Sequence, residues 1–200
     1  ERVCAAGMEA YPDSPGGKQC FNLHQSIHAP DLTVQVERVW TAPWPSLQIR
    51  YKNLESAHFR IVARQWEASL QEGRASPRHL DRQAVDELLA ETPVRKWTVE
   101  LPPTPDFATH LEVKPVPDNL PPGFYVLLAS ARPGFGDDDN TVSAVPFWVS
   151  DLALVLEHDV SDPKKNGGFV LDARSGEPIA GATVRCWERR NRRNENPWHE

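Results

Sequence analysis

Residues 123–131, GFYVLLASA, decide the fold class of this chain, because apolar side chains occupy both the odd and the even positions of the segment. The side chains of a strand point alternately to its two faces. A run that is apolar on both faces is therefore typical of a strand covered on both sides, near the centre of a sheet. We expect this segment to be the central strand of a β-rich domain.

Six further segments are predicted strands, and five of them alternate apolar and polar residues, which is the pattern of strands with one buried face. In AHFRIVARQW, for example, Phe59, Ile61 and Ala63 are expected on one face. The six segments are LTVQVERVW (32–40), SLQIRYKN (46–53), AHFRIVARQW (57–66), VRKWTVEL (94–101), THLEVKPV (109–116) and TVSAVPFWV (141–149). Seven strands over residues 31–149 predict a mostly β chain, with a seven-stranded fibronectin/immunoglobulin-like β-sandwich.

A short N-terminal helix is predicted ahead of the sandwich. Ser14 and Pro15 are a helix start signal, and Cys20, Leu23 and Ile27 follow at spacings of three and four. The helix should end before residue 30 and is too short to be stable without packing on another element.

A helical insertion in the sandwich is predicted over residues 76–91, SPRHLDRQAVDELLAE. Ser76 is a favourable N-cap, and Pro77 fits the first helical position. The apolar stripe of this helix consists of Leu80, Ala84, Val85, Leu88 and Leu89.

A second β-unit is predicted after Val149. Its three strands are DLALVLEHD (151–159), FVLDA (169–173) and IAGATVRCWER (179–189), and its turns are PKKNGG (163–168) and RSGEP (174–178). Three strands are too few for an independent sandwich. We therefore expect the start of a second β-sandwich, and we divide the chain at residues 1–29, 30–150 and 151–200.

The second of these turns owes its shape to residues with special backbone chemistry. Gly176 tolerates a positive φ, which a tight turn requires. Pro178 should set the entry to the following strand, and Ala180, Gly181 and Ala182 should let a neighbouring strand approach closely.

Charge and hydropathy exclude some classes of partner. The net charge of −6 over 200 residues argues against a nucleic-acid partner, which requires a basic face. We interpret the basic cluster RRNRRN (189–194) as a solvated loop, with a docking patch as the alternative. No apolar run approaches the roughly 18 residues that span a membrane. Because the chain begins at Glu1 rather than Met, we expect it to be part of a longer protein.

No catalytic motif is present in the sequence, so we predict a non-catalytic chain without a cofactor or a metal site. There is no Gly-x-Ser-x-Gly elbow, His-Glu-x-x-His pair or glycine-rich phosphate loop. His24 and His28 are four residues apart and could chelate a metal, although an exposed polar helix face is the favoured interpretation. Asp137, Asp139 and Asn140 could hold Ca²⁺, but a solvated connection between strands is favoured.

The tryptophans and cysteines leave further alternatives open. Trp40 and Trp44 flank a proline, and they either form a partly exposed sugar-stacking platform or, as we favour, pack in the core. Cys4 and Cys20 could pair in an oxidising compartment, which the sequence leaves undecided. Cys186 lies within a predicted apolar strand and is expected to be a small buried hydrophobe.

The order of several landmarks resembles a known family. They are YPDSPGGKQC (11–20), IRYKNLESAHFRIVA (49–63) with its Tyr-x-Asn corner, ELPPTPDFATH (100–110), LPPGFYVLLAS (120–130), VPFWVSDLALV (145–155) and FVLDARSGEPIAGATV (169–184). Taken together, they resemble the amino-terminal region of bacterial α-2-macroglobulin family proteins, over nearly the whole chain. The resemblance implies that the Tyr-x-Asn corner leads from one strand into another strand of the same sheet.

The resemblance implies a fold and a function. Residues 30–150 would be one macroglobulin-like (MG) domain, residues 151–200 the beginning of the next, and residues 1–29 the last helix of an upstream helical region. Proteins of the family trap or inhibit proteases after cleavage of a bait segment, many through a Cys-Gly-Glu-Gln thioester. That tetrapeptide does not occur in this chain, so neither a thioester nor a bait residue is carried over.

We therefore expect a non-catalytic structural segment of a secreted or periplasmic protease inhibitor of this family. Its partners would be the neighbouring MG domains and, through the full-length protein, target proteases. The alternative is a cell-surface adhesion or glycan-binding sandwich that uses Trp40, Trp44 or the loop at residues 137–140. A third interpretation is an accessory domain of a larger hydrolase, because turn-and-strand segments like SGEPIAGATV also occur beside catalytic domains.

Overall fold

The computed structural model describes residues 2–71, 80–136, 140, 142–158, 166–189 and 198–199. The chain is mostly β, with 40% strand and 22% helix. The helices are α1 (Arg2–Ala10), α2 (Pro15–His28), α3 (Trp66–Gln71) and α4 (Arg82–Ala90). The strands are β1 (Asp31–Gln35), β2 (Val39–Trp40), β3 (Ser46–Lys52), β4 (Ser56–Arg64), β5 (Arg95–Glu100), β6 (His110–Pro115), β7 (Gly123–Ser130), β8 (Val142–Val149), β9 (Leu152–His158), β10 (Asn166–Asp172), β11 (Glu188–Arg189) and β12 (Trp198–His199).

Two sheets enclose the main core, as the layers of a β-sandwich do. One has three strands in the order β1-β3-β6, and the other has five in the order β2-β8-β7-β4-β5. Strand β3 alternates strictly between exposed and buried residues, with Leu47, Ile49 and Tyr51 inside. Phe59 and Ile61 of β4 are buried in the same cluster, so the apolar faces of the two sheets meet there.

The predicted central position of the GFYVLLASA segment is confirmed. It forms β7, which pairs with β4 on one side and with β8 on the other, and seven of its eight residues are buried. Leu127 faces the main core, whereas Val126 and Leu128 belong to a second cluster on the opposite face of the sheet. Both faces of β7 are therefore covered, which explains why its sequence lacks alternation.

Helix α4 supplies part of that second cluster and confirms the helical insertion. Its Leu88 is fully buried with Val62, Val126, Leu128 and Phe135. The predicted start of the helix is wrong. The N-cap is Asp81, whose carboxylate accepts a hydrogen bond of 2.9 Å from the Ala84 N–H, and Ser76 and Pro77 lie outside the described residues. An aspartate caps as well as a serine does, and it lies closer to the buried stripe.

The first predicted strand is broken into two. Strand β1 pairs with β3 in the smaller sheet, whereas β2 pairs in parallel with β8 in the larger one. Eight strands rather than seven therefore lie between residues 31 and 149 in the described part of the chain. Glu37 and Arg38 interrupt the alternation at the crossing, but a single break of this kind does not show that the chain changes sheet. Ala63, expected to be buried beside Phe59 and Ile61, is exposed.

The Tyr-x-Asn corner also differs from the expectation, because it joins strands of different sheets. It leads from β3 in the smaller sheet to β4 in the larger one. The Tyr51 hydroxyl donates to the Pro102 carbonyl at 3.0 Å, and the Asn53 N–H donates to Thr104 Oγ1 at 2.8 Å. Asn53 has a φ of 54°, a left-handed conformation that Asn tolerates better than most residues. The change of chain direction at Asn53 therefore takes the chain from the smaller sheet to the larger one.

The N-terminal region contains two helices instead of one. Helix α2 is confirmed with its predicted signals, since the Ser14 side chain accepts from the Gly17 N–H and Pro15 stands at the first position. Helix α1 was not predicted and packs against α2. The end of α2 is bonded to the sandwich, where Asn53 Nδ2 donates to the carbonyls of Ile27 and Ala29 at 2.7 and 3.2 Å.

The second β-unit contains the first two of its three predicted strands. Strands β9 and β10 form an antiparallel ribbon. The third strand is wrong for most of its length, because only Glu188 and Arg189 of that segment are in a strand. Residues 182–187 have no ladder partner in the described part of the chain, and Cys186, expected to be buried, is exposed. Without a neighbouring strand, the apolar alternation of this segment does not lead to burial.

The corner hydrogen bond predicts an effect of Tyr51→Phe on stability. Removing the hydroxyl leaves the Pro102 carbonyl without its donor, so we expect a loss of about 1–2 kcal/mol in the free energy of unfolding. Urea unfolding followed by tryptophan fluorescence measures it. Tyr11→Phe is the matched control, because Tyr11 is 69% exposed, and it should change stability by less than about 0.5 kcal/mol. Equal effects of the two substitutions would contradict this role of the corner.

Candidate functional site

The chain passes from the sandwich to the second β-unit through two residues, Ser150 and Asp151, between the end of β8 and the start of β9. The parallel pairing of β2 with β8 fixes this passage. The Trp148 N–H donates to the Arg38 carbonyl at 2.8 Å, and the Ser150 N–H donates to the Trp40 carbonyl at 3.1 Å. The exit point of the chain is therefore bonded to the interior of the sandwich.

Asp151 connects the sandwich to the second unit. Its carboxylate oxygen Oδ1 accepts from the Thr41 hydroxyl at 3.1 Å and from the Arg174 guanidinium at 2.9 Å. Its backbone carbonyl accepts from the Ala173 N–H at 2.7 Å. We call Thr41, Asp151, Ala173 and Arg174 the junction cluster. The side chains of Asp151 and Arg174 are more than half exposed, so the ion pair fixes geometry more than it adds stability.

The turn after β10 presents Arg174 to Asp151. The Asp172 carboxylate accepts from the Ser175 N–H at 2.8 Å and from the Arg174 N–H at 2.9 Å. These backbone hydrogen bonds, Ser175 first, lower the pKa of Asp172. Gly176 has a φ of 72°, and its N–H donates to the Asp172 carbonyl, as expected from the sequence. These hydrogen bonds fix the backbone of the turn and thereby the position of Arg174.

Gly181 has a different role from the predicted one. We expected it to permit the close approach of a neighbouring strand, but a Cβ at this position would have open space around it. Gly181 instead has a φ of 71° and makes a second turn possible. Pro178 forms an isolated bridge with Leu171, so β10 gains one contact at its outer edge.

A second contact joins the segment after β10 to helix α3. The Arg185 guanidinium donates to Glu67 of α3 at 2.7 Å and lies 5.1 Å from the centre of the Trp187 ring. Like the junction cluster, this ion pair is exposed at both ends. Two polar contacts at separate positions restrict rotation more than one contact would.

The ribbon of β9 and β10 carries apolar side chains on both faces. Leu152, Leu154 and Leu156 project from one face of β9 and Val155 from the other, and all four are exposed. Phe169 of β10, opposite Val155 in the register, is 52% exposed. Apolar strands of this kind are ordinarily covered on both sides. These exposed apolar side chains make the ribbon a candidate interaction surface.

The structure buries one of the two tryptophans proposed as a sugar platform. Trp40 is fully buried, stacks on Phe147 with ring centres 3.7 Å apart, and donates from Nε1 to the Glu37 carbonyl at 2.9 Å. The platform interpretation is wrong for Trp40, and the core interpretation is confirmed for it. Trp44 is half-buried and packs edge-on against Trp40, at 6.5 Å between ring centres.

A groove that the sequence did not indicate lies beside β8. It has a volume of about 680 Å³, and its lining includes Arg38, Phe124 and Trp148. Trp148 is half-buried against Trp66 and Phe124, at 5.1 and 4.9 Å between ring centres. The groove could have been predicted from Phe147 and Trp148. Because adjacent side chains of a strand project to opposite faces, one of these two rings must lie outside the main core.

The proposed metal ligands do not form a complete site among the described residues. The rings of His24 and His28 lie 4.3 Å apart, but no group of three potential ligands surrounds them or any other point in the described ranges. Asp137 and Asp139 lie outside those ranges. Asn140 donates from Nδ2 to Ser130 Oγ at 2.8 Å and to the Phe135 carbonyl at 3.2 Å, so its amide holds the loop against β7.

Comparison with known proteins adds no family. No protein-family model matches the chain, and no curated protein matches it. Within the described residues, no helix is long and apolar enough to cross a membrane. The assignment of function therefore depends on the sequence landmarks and on the geometry of the junction.

Loss of the Asp151 carboxylate should loosen the ribbon without unfolding the sandwich. In Asp151→Ala, the contacts to Thr41 and Arg174 disappear, and each exposed contact of this kind is worth about 0.2–1 kcal/mol. Hydrogen exchange of the β9 and β10 amides should accelerate roughly two- to thirtyfold, while exchange in β7 stays unchanged. Asp118→Ala, at another exposed carboxylate, is the control. Acceleration in β7, or equal effects of both substitutions, would contradict this role of Asp151.

The turn after β10 should loosen in acid. Because hydrogen bonding lowers the pKa of Asp172 in the folded chain, its stabilising contribution is present above the usual carboxyl range and is lost as the pH falls through the lowered value. NMR titration should give a pKa for Asp172 below the usual range of an aspartate carboxyl, with the Ser175 amide shift following the titration of Asp172. Ser175→Pro removes the N–H and should raise the pKa of Asp172. An unchanged value would contradict the assigned cause.

Proposed function

We propose that this chain is a non-catalytic structural segment of a secreted or periplasmic protease inhibitor of the α-2-macroglobulin type. Residues 30–150 would be one MG domain and residues 151–200 the beginning of the next, after an upstream helical region at residues 1–29. Support comes from the order of landmarks in the sequence and from the β-sandwich. The observation that carries the proposal is the two-residue passage at Ser150 and Asp151, with the junction cluster around it.

A protease trap of this type needs domains that move together. Cleavage of a bait segment can reorient distant parts only if each domain transmits the displacement to the next. A flexible linker would absorb the displacement. In this chain, the Ser150 N–H is bonded to Trp40 on one side, and the Asp151 carbonyl is bonded to Ala173 on the other. A displacement of the ribbon would therefore reach the core of the sandwich through hydrogen bonds rather than through free rotation.

The exposed apolar residues of the ribbon fit the same proposal. Leu154 and Phe169 are each 52% exposed, and in an array of sandwiches such residues would be covered by further strands or by the adjoining domain. The partners that we propose are therefore neighbouring domains of the same protein. Target proteases would bind to the assembled full-length protein, and no bait or thioester residue is assigned to this chain.

A cell-surface glycan-binding sandwich is the second candidate, and one observation favours it. The groove beside β8 combines Arg38 with the aromatic rings of Phe124 and Trp148, and aromatic faces with a nearby polar group suit sugar rings. This groove fits a sugar better than the pair Trp40 and Trp44, because Trp40 is buried.

Protease trapping by the full-length protein tests the first proposal. Leu154→Lys places a charge on the exposed apolar face of β9 and should reduce the amount of protease retained after bait cleavage at least about tenfold, because burying an unpaired lysine costs several kcal/mol. The matched control is Leu111→Lys, since Leu111 of β6 is 51% exposed and lies on the sandwich itself. Retention is measured by size-exclusion chromatography with a labelled protease.

Three outcomes separate the candidates. Loss of trapping in Leu154→Lys, with trapping retained in Leu111→Lys, supports the structural role of the ribbon. Absence of trapping in the unsubstituted full-length protein overturns the inhibitor proposal. Binding of this chain to a glycan array, abolished by Trp148→Ala, would replace that proposal by the adhesion function.

A further inference from the structure

The two N-terminal helices form a tight antiparallel hairpin. The connection is four residues long, residues 11–14, between the end of α1 and the start of α2. Ser14 Oγ donates to the Tyr11 carbonyl at 2.8 Å and accepts from the Gly17 N–H at 3.0 Å. A Cβ at Gly17 would lie only 1.9 Å from the Tyr11 carbonyl oxygen, so α2 passes in direct contact with the turn. This contact fixes the register of the hairpin.

The register places two cysteines, one on each helix, at the same distance from the turn. Cys4 lies eight residues before Pro12, and Cys20 lies eight residues after it. Because each helix rises by about 1.5 Å per residue, equal separations from the turn correspond to equal distances along the hairpin. Antiparallel helices of this kind therefore bring Cys4 and Cys20 side by side.

The faces of the helices bring the two sulfur atoms together. A Cβ at Gly7 would lie 3.2 Å from Cys20 Sγ, so this sulfur packs against the α1 face that carries Gly7. Cys4 is on the same face, three residues earlier and one turn away. Cys4, as a neighbouring hydrogen-bonding side chain, raises the pKa of Cys20, and burial of the thiol raises it further. Both cysteines are free thiols, not joined in a disulfide, and both are half-buried, so a small oxidant can reach them.

We propose that Cys4 and Cys20 are a redox site, at which a small-molecule or protein disulfide converts the two neighbouring thiols into an intramolecular disulfide that locks α1 onto α2. In the first step, one cysteine thiolate attacks the oxidant, the sulfur–sulfur bond of the oxidant breaks, and a mixed disulfide forms. The second cysteine, as a thiolate, attacks the mixed disulfide. In total, two cysteine thiols and one disulfide become one Cys4–Cys20 disulfide and two released thiols, with both protons transferred to the released thiols.

The consequence of the bond follows from how weakly α1 is held. Helix α1 has nine residues, none of them buried, and a helix this short is not stable by itself in water. Helix α2, in contrast, is fixed to the sandwich, because Lys52 and Asn53 donate to the carbonyls of Ser26, Ile27 and Ala29. Oxidation therefore joins α1 to the sandwich, whereas reduction leaves it free to detach. The site does not depend on the protease-inhibitor proposal.

Thiol mapping of the full chain tests this inference. The chain is incubated with oxidised glutathione, the remaining thiols are alkylated in acid, and the peptides are identified by mass spectrometry without reduction. We expect a monomer with one linked peptide pair that contains Cys4 and Cys20, two hydrogen atoms lighter than the two reduced peptides together. Cys4→Ser and Cys20→Ser, checked for unchanged circular dichroism, should instead keep glutathione on the remaining cysteine of the pair. Cys186→Ala should behave like the unsubstituted chain.

Hydrogen exchange supplies the second measurement. In the oxidised chain, the amides of α1 should exchange about tenfold more slowly than in the reduced chain, and the amides of β7 should not differ. Glutathione on both Cys4 and Cys20 of the unsubstituted chain, a bond from either of them to Cys186, or a disulfide that leaves α1 exchange unchanged would overturn the proposal.

Discussion

The pairing of the two-residue strand β2 with the end of β8 is the constraint on which the rest of the structure depends. It places Trp40 against Phe147 in the centre of the core and bonds the Trp40 carbonyl to the Ser150 N–H. One short contact therefore closes the sandwich and also fixes the place at which the chain leaves it. Any displacement of β2 would open a cavity of the size of a tryptophan and release the junction at once, so packing and connection cannot vary independently.

Much of the fold could be predicted from the sequence because burial imposes a period. Strand β3 follows that period closely, β7 lacks it because both of its faces are covered, and α2 has its cap and its proline in the expected places. The errors arise where burial does not distinguish between alternatives. Alternation is the same whichever sheet a strand joins, so neither the crossing between β1 and β2 nor the reversal at Asn53 could be read from it. Helix α1 buries no residue and was not predicted.

The junction cluster could not be predicted for a related reason. Asp151, Thr41 and Arg174 are exposed or half-exposed polar residues, separated by more than a hundred positions at the extreme. Exposed polar residues are common, and nothing in their local sequence indicates a distant partner. Only the register of β2 on β8 brings Thr41 to Asp151, and only the turn after β10 brings Arg174 there. The landmarks of the sequence and the geometry of the junction are thus independent of each other.

The glycines of this chain differ in what can replace them. At Gly17 a backbone carbonyl occupies the volume that any side chain would need, so no other amino acid restores the hairpin. At Gly181 the space is open and only the backbone angle is unusual, a condition that asparagine and aspartate meet at small cost. Across related chains, glycine should therefore be invariant at the first position and should alternate with these two residues at the second. The substitutions found in related chains would then show which glycine is required for close packing and which for its backbone angle.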